Sequence, residues 1–190
     1  AAMSVESIDH VVVSTDDNEI AEIAKQAGAQ VPFMRPASLS NDKATGISVV
    51  LHALEQLPEV TDVLVLQPTS SLRTSSDIES ILSLRHEAGC NSAVSLTSVV
   101  KHPSWMYSLT NTQTLKPFLG PKSAHGLQEL PSTYILNGSL YLATRSFVFR
   151  NMSFISNETV GYVMPPERSV DIDTMLDWQL AELLMSARLP

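Results

Sequence analysis

The chain has 190 residues, with 12 Lys or Arg against 20 Asp or Glu and a formal charge of −8, a balance that argues against nucleic-acid binding because neutralising phosphates needs a basic face. At 44% hydrophobic and 17% charged residues it reads as one globular domain over 1–190 with a single buried core. No apolar run approaches the ~18 residues of a membrane span, and residues 1–9 have neither the basic nor the apolar part of a secretory leader.

Ile8 to Ser14 is a valine-rich apolar run ended by polar residues, the pattern of a buried parallel strand followed by a loop. Ile20, Ile23, Ala24 and Ala27 then recur at helical spacing, with Gly28 at the position of a helix stop. Val31 to Met34 is a candidate short strand before Arg35-Pro36. Ile47, Val50, Leu51, Leu54 and Leu57 mark one face of a second helix, stopped by Pro58. Val63 to Leu66 is another buried-strand run, and Thr74 with Asp77 predicts a capping box for a third helix through Ile78, Ile81 and Leu82. Ala93 to Val100 is the next strand candidate. Strand and helix alternating with short connections predict an α/β fold with a mostly parallel sheet.

The rhythm breaks over residues 101–136, which hold four prolines and little helical period. Trp105, Met106, Tyr107, Leu115 and Phe118 are too apolar for a free loop, so this stretch is expected to be an arm docking onto a second subunit. Strand character returns at Ser139 to Ala143 and at Val160 to Met164. A last helix from Thr174 is expected to bury Leu176, Leu180, Leu183, Leu184 and Ala187.

Ligands of open α/β sheets bind beyond the carboxyl ends of the strands. That rule selects Ser14-Thr15-Asp16, Gln67-Pro68-Thr69-Ser70 and the Val170-to-Asp173 segment; for the first two, ordinary turn chemistry is the competing reading. Asp171 and Asp173 are the sharpest feature. Two residues apart in an extended segment, their carboxylates point the same way and offer hard oxygens suited to Mg²⁺, which takes its remaining ligands from water and substrate phosphates. Capping of the last helix by Asp173 is the alternative. Arg35 is a candidate phosphate ligand or, alternatively, a solvated loop arginine. The histidines at 10, 52, 86, 102 and 125 have no metal-ligand spacing. The lone Cys90 excludes an internal disulfide and fits a reducing, cytoplasmic compartment.

Taken together, V-V-V-S-T-D, R-P-A-S-L-S-N-D, L-Q-P-T-S-S-L-R-T, L-N-G-S-L-Y and R-S-V-D-I-D-T, in this order over about residues 8–187, resemble the bacterial acylneuraminate cytidylyltransferases, the CMP-sialic acid synthetases. The resemblance implies a three-layer, nucleotidyltransferase-like (Rossmann-like) sandwich and a homodimer built through an arm at 101–136. It implies an enzyme that uses CTP to activate a nonulosonic acid, giving the CMP-sugar and pyrophosphate with Mg²⁺ as cofactor. The acid is sialic-type or, alternatively, legionaminic, pseudaminic or Kdo-like; a catalytically inactive nucleotide-binding homologue is the other reading. Asp171 and Asp173 match the family's metal carboxylates. Arg35 and the backbone of Ala44 match positions near the nucleotide. Gln67 matches the glutamine beside the sugar, and Asn137 and Tyr141 match the sugar pocket. The family's glycine- and Lys/Arg-rich phosphate loop has no counterpart, so the domain is expected to be incomplete at its N-terminus. Gly46 and Ser71 replace a usual serine and proline, and Leu127 and Ile135 stand where sialic-acid enzymes often carry arginines.

Overall fold

Apolar runs with no polar face need cover on both sides, and here they form a four-stranded sheet between helices. The computed structural model describes residues 1–119 and 131–187. Its first half holds α1 (Asn18–Gln26), α2 (Gly46–Gln56), β1 (Asp62–Leu66), α3 (Ser75–Glu87) and β2 (Ser92–Ser98). A hairpin of β3 (Tyr107–Leu109) and β4 (Leu115–Pro117) follows, then β5 (Tyr134–Thr144), α4 (Arg145–Asn151), β6 (Val160–Val163) and α5 (Met175–Ser186). The helix starts obey local chemistry. Thr74 and Asp77 form a full capping box on α3, Thr174 and Asp177 form another on α5, and Asp17 accepts from the Glu19 and Ile20 amides at α1.

The sheet order is β1-β5-β2-β6. Side chains alternate between two cores, as a period of two requires. Ala93, Leu140 and Leu142 pack with Ile78 and Ile81 of α3, whereas Val94 and Ala143 pack with Leu54 of α2 and with Phe147 and Val148 of α4. Helices therefore cover both faces, giving the three-layer sandwich that was expected.

The expectation of a mostly parallel sheet needs correction. β1, β2 and β6 run in one sense, but β5 lies between β1 and β2, antiparallel to both, and only β2–β6 is a parallel pair. A parallel neighbour requires a crossover back to the starting end of the sheet, usually through a helix. After β2 the chain instead turns back at the same end, where the Val99 amide donates to the Thr133 carbonyl. β5 accordingly enters in the opposite sense.

Three further expectations change. Ile8–Ser14 and Val31–Met34 are not strands: a single bridge joins Val12 to Gln30, and a ribbon that short has little independent stability. The seven-residue α4, too short to show a helical period, was not expected. The apolar face of α5 is not buried. Leu176 is 73% and Leu183 65% exposed, Leu180 and Ala187 are exposed, Leu184 is half-buried, and only Ala181 is fully buried.

Candidate active site

The carboxyl ends of β1, β2 and β6 lie at one end of the sheet, and three loops meet there. The first, Gln67–Ser70, leaves β1 directly. The second is the amino-terminal half of β5, which continues past the end of β1; opposite it, the β2 register shifts between Val94 and Leu96. The third is the segment from Met164 to Asp173, anchored at its start by the Met164 amide on the Leu96 carbonyl at 2.7 Å. It meets the first loop where the Ile172 amide donates to the Thr69 carbonyl at 3.0 Å.

Gly138 is the floor of this junction. Its φ of +73° lies in the left-handed region, which glycine enters without steric cost. A Cβ there would stand 2.5 Å from Gln67 Oε1, 3.4 Å from Asp171 Oδ2 and 3.5 Å from Ser70 Oγ. Gln67, Ser70 and Asp171 thus converge on one bare backbone position, although 104 positions separate the first and last of them in the sequence (171 − 67 = 104). Gln67 and Asp171 are exposed, and so open to a ligand, whereas Ser70 is buried.

Asn137 and Tyr141 flank this point differently. The Asn137 side chain is buried and fully engaged: Oδ1 accepts from Ser95 Oγ at 2.6 Å and Nδ2 donates to Ser169 Oγ at 2.9 Å. It fastens β5 to β2 and to the third loop, and would have to surrender these bonds to touch a sugar. Tyr141 is half-buried against Phe154, its ring centroid 5.8 Å away. Burial, then the negative charge of Asp171, raise its hydroxyl pKa above the ordinary value, so it stays a protonated donor.

Arg35 and Ala44 belong to the segment before α2, as do their partners Ser40 and Asn41, whereas Asp16 comes from further towards the N-terminus. Arg35 donates to Asp16 Oδ1 and to Ser40 Oγ, both at 3.0 Å, and its hydrogen bond holds the exposed Asp16 carboxyl below its ordinary pKa. The Ala44 amide donates to the Asn41 carbonyl at 2.9 Å. Asp173 does not cap α5: Thr174 does, and the Asp173 amide donates to Asp177 at 3.3 Å. Its exposed carboxylate is left for other work.

The chemistry of these donors fits Mg²⁺. Two hard carboxylates, Asp171 and Asp173, stand two residues apart in one segment, and Asp171 faces the cradle that any Cβ at Gly138 would fill. Among the described residues no cluster of three or more His, Cys, Asp or Glu could enclose a metal. An ion that keeps its waters and takes substrate phosphates needs no such cage.

Comparison with known proteins decides the family. A family model described as Cytidylyltransferase matches residues 1–137. The chain belongs to the cytidylyltransferase family. It is 36% identical over 191 residues to a CMP-N,N'-diacetyllegionaminic acid synthase of Legionella pneumophila, covering 97% of this chain and 82% of that protein. It is 30% identical over 168 residues to an N-acylneuraminate cytidylyltransferase of Streptococcus agalactiae, covering 88% of this chain but 40% of that longer protein. A solved CMP:2-keto-3-deoxy-manno-octonic acid synthetase, complexed with CTP, superposes with a TM-score of 0.68 over 99% of this chain and 85% of its own; at 16% identity it speaks to the fold alone.

Two arginines of this cytidylyltransferase escaped the sequence reading. Arg73 reaches under the first loop, donating to the carbonyls of Gln67 at 2.6 Å, Ser70 at 2.7 Å and Ser139 at 3.2 Å; burial lowers its pKa. Arg168 forks onto Asp77, with Nε 2.9 Å from Oδ2 and Nη2 2.8 Å from Oδ1, tying the third loop to the start of α3. Burial raises the Asp77 pKa, but hydrogen bonds from Arg168, Thr74 and Tyr162 outweigh it, and the net shift is downward. Both arginines stand inside quoted motifs. Each has a deciding partner far away in sequence, Ser139 for Arg73 and Asp77 for Arg168, and motif spacing does not show such a pairing.

The expected arm is described only at its two ends. The hairpin is solvent-facing, with Leu109 63% and Phe118 69% exposed, and Tyr134, Ile135 and Leu136 of β5 are exposed beside one another in sequence. Pro121, Lys122, His125 and Leu127 lie outside the described residues. No helix among the described residues is long and apolar enough to cross a membrane.

Proposed function

We propose that this cytidylyltransferase activates a nonulosonic acid with CTP at the junction of Gln67, Gly138 and Asp171. The carrying observation is that convergence, at the strand ends where open α/β sheets hold ligands. The names of the relatives support a nine-carbon acid of the legionaminic or sialic type as the acceptor.

In the proposed reaction the anomeric hydroxyl of the sugar acid attacks the α-phosphorus of CTP in line. The new bond joins that oxygen to the α-phosphorus, the bridge to the β-phosphate breaks, and pyrophosphate leaves with the bonding pair as the hydroxyl proton is released. Catalysis of this kind depends on positioning and on offsetting phosphate charge. The exposed amide of Gln67 offers both a donor and an acceptor to sugar hydroxyls. Tyr141, protonated at neutral pH, offers a further donor. Asn137 holds the Gly138 turn in place from beneath. Asp171 and Asp173 would hold Mg²⁺, which supplies charge neutralisation at the phosphates when bound. Arg35 and the Ala44 backbone are assigned to the nucleotide side, where Asp16 competes for the guanidinium until a phosphate replaces it.

The exposed apolar residues of the arm support a homodimer in which 101–136 packs on the second subunit. A reducing, cytoplasmic setting agrees with the free Cys90.

The test is pyrophosphate release by the protein at its natural length, with CTP, Mg²⁺ and a panel of sialic, legionaminic, pseudaminic and Kdo acids, products identified by mass. A CMP adduct of one nonulosonic acid is the expected result. CTP binding without turnover on any acid would instead establish an inactive homologue.

A further inference from the structure

We infer that Arg73 is the positioning residue that sets the sugar-side glutamine and the two carboxylates as one unit, an inference that rests on the function proposed above. One guanidinium spans two segments 69 residues apart in sequence (139 − 70 = 69), taking the Gln67 and Ser70 carbonyls on one side and the Ser139 carbonyl on the other. It thereby fixes the Gln67–Ser70 loop against the β5 turn at Gly138, where Gln67 Oε1 rests. The same loop presents the Thr69 carbonyl to the Ile172 amide at 3.0 Å, and Ile172 stands between Asp171 and Asp173. A shift of the loop is therefore passed to both carboxylates through the backbone.

The geometry requires arginine in particular. A planar fork of five N–H donors bonds several carbonyls in fixed directions, whereas a lysine ammonium is a compact point on a flexible stem. Three hydrogen bonds from the two terminal nitrogens of Arg73 go to backbone carbonyls of the loop and of β5. Arg73 acts through Gln67, Asp171 and Asp173 and does not touch substrate.

The experiment compares wild type with Arg73→Met and Arg73→Lys in the full-length protein. Steady-state pyrophosphate release gives KM for the sugar acid, KM for CTP and the Mg²⁺ concentration for half-maximal rate. Amide hydrogen exchange, read without substrate or metal, reports on Ile172. Losing the fork should raise the sugar KM and the Mg²⁺ requirement together by about tenfold, the equivalent of one charge-assisted hydrogen bond, with the CTP KM changed by less than about twofold. Exchange at Ile172 should quicken by a similar factor, and Arg73→Lys should fall between wild type and Arg73→Met. A role in general stability alone would lower Tm and leave these constants of the folded enzyme where they were. Unchanged Ile172 exchange in a folded variant, or a fall in kcat with both constants unmoved, overturns the inference. Should Arg73→Met fail to fold, Arg73→Lys decides on the same criteria. If wild type releases no pyrophosphate, the proposed function fails by itself, and the exchange of Ile172 still tests the coupling.

Discussion

The loop junction at the strand ends and the apolar periphery of the molecule are held by opposite means. At the junction the supporting side chains have named partners: Asn137 binds Ser95 and Ser169, Arg73 binds three carbonyls, and Arg168 binds a fully buried Asp77. At the periphery, the β3–β4 hairpin and α5 carry large apolar side chains into solvent. The junction is specified by hydrogen bonds within this chain. The periphery is specified by hydrophobic area whose cover is not supplied by the described residues. A substitution at the junction should therefore register in the isolated subunit, and one at the periphery should register chiefly in assembly.

Arg168→Ala is expected to have the largest effect. It strands the Asp77 carboxylate with only Thr74 and Tyr162 as partners, at a cost of about 3 kcal/mol and a fall in Tm of roughly 6–12 °C. The pH dependence follows from the lowered pKa of Asp77. A carboxyl whose folded pKa lies below its unfolded value of 3.8 contributes stability above that value, and the contribution is lost as pH falls through the folded pKa. Acid titration of wild-type stability should show this loss below about pH 4, and Arg168→Ala should show much less of it.

Gly138→Ala comes next. The new Cβ must meet Gln67 Oε1 and occupy a left-handed backbone, for a destabilisation of about 1–2 kcal/mol by denaturant titration and a raised KM for the sugar acid. The smallest effect on the subunit is expected for Leu109→Ser with Phe118→Ser. Both sites are exposed, so stability at low concentration should stay within about 0.5 kcal/mol. Light scattering should nevertheless show a shift from dimer towards monomer. Strong destabilisation of the isolated subunit by this pair would erase the contrast between the two regions.

Much of the sandwich was legible in the sequence because its signals are local. The Thr74–Asp77 box is written within four residues, and strands buried on both faces announce themselves as unbroken apolar runs. The direction of β5 was not legible, since Ser139–Ala143 reads alike in either sense and the long connection before it decides the matter. Nor was the exposure of α5, because a helical period shows an apolar face without showing what covers it. At the site, Asp171 and Asp173 were visible from their spacing, and Gln67 from its place after a strand. Arg73 and Arg168 were not, since what they do depends on Ser139 and Asp77, 66 and 91 residues away.

The central claim is that the loop junction is where cytidylyl transfer occurs, and its carboxylates test it most directly. Initial rates of pyrophosphate release should be measured for wild type, Asp171→Asn and Asp173→Asn across a Mg²⁺ titration, with Tm recorded for each. Both carboxylates are exposed. Each variant should keep the wild-type Tm within a few degrees and lose about a hundredfold or more in rate, as when a major electrostatic contributor to a transition state is removed. Rates equal to wild type in both variants, with the Mg²⁺ dependence unchanged, would contradict the account.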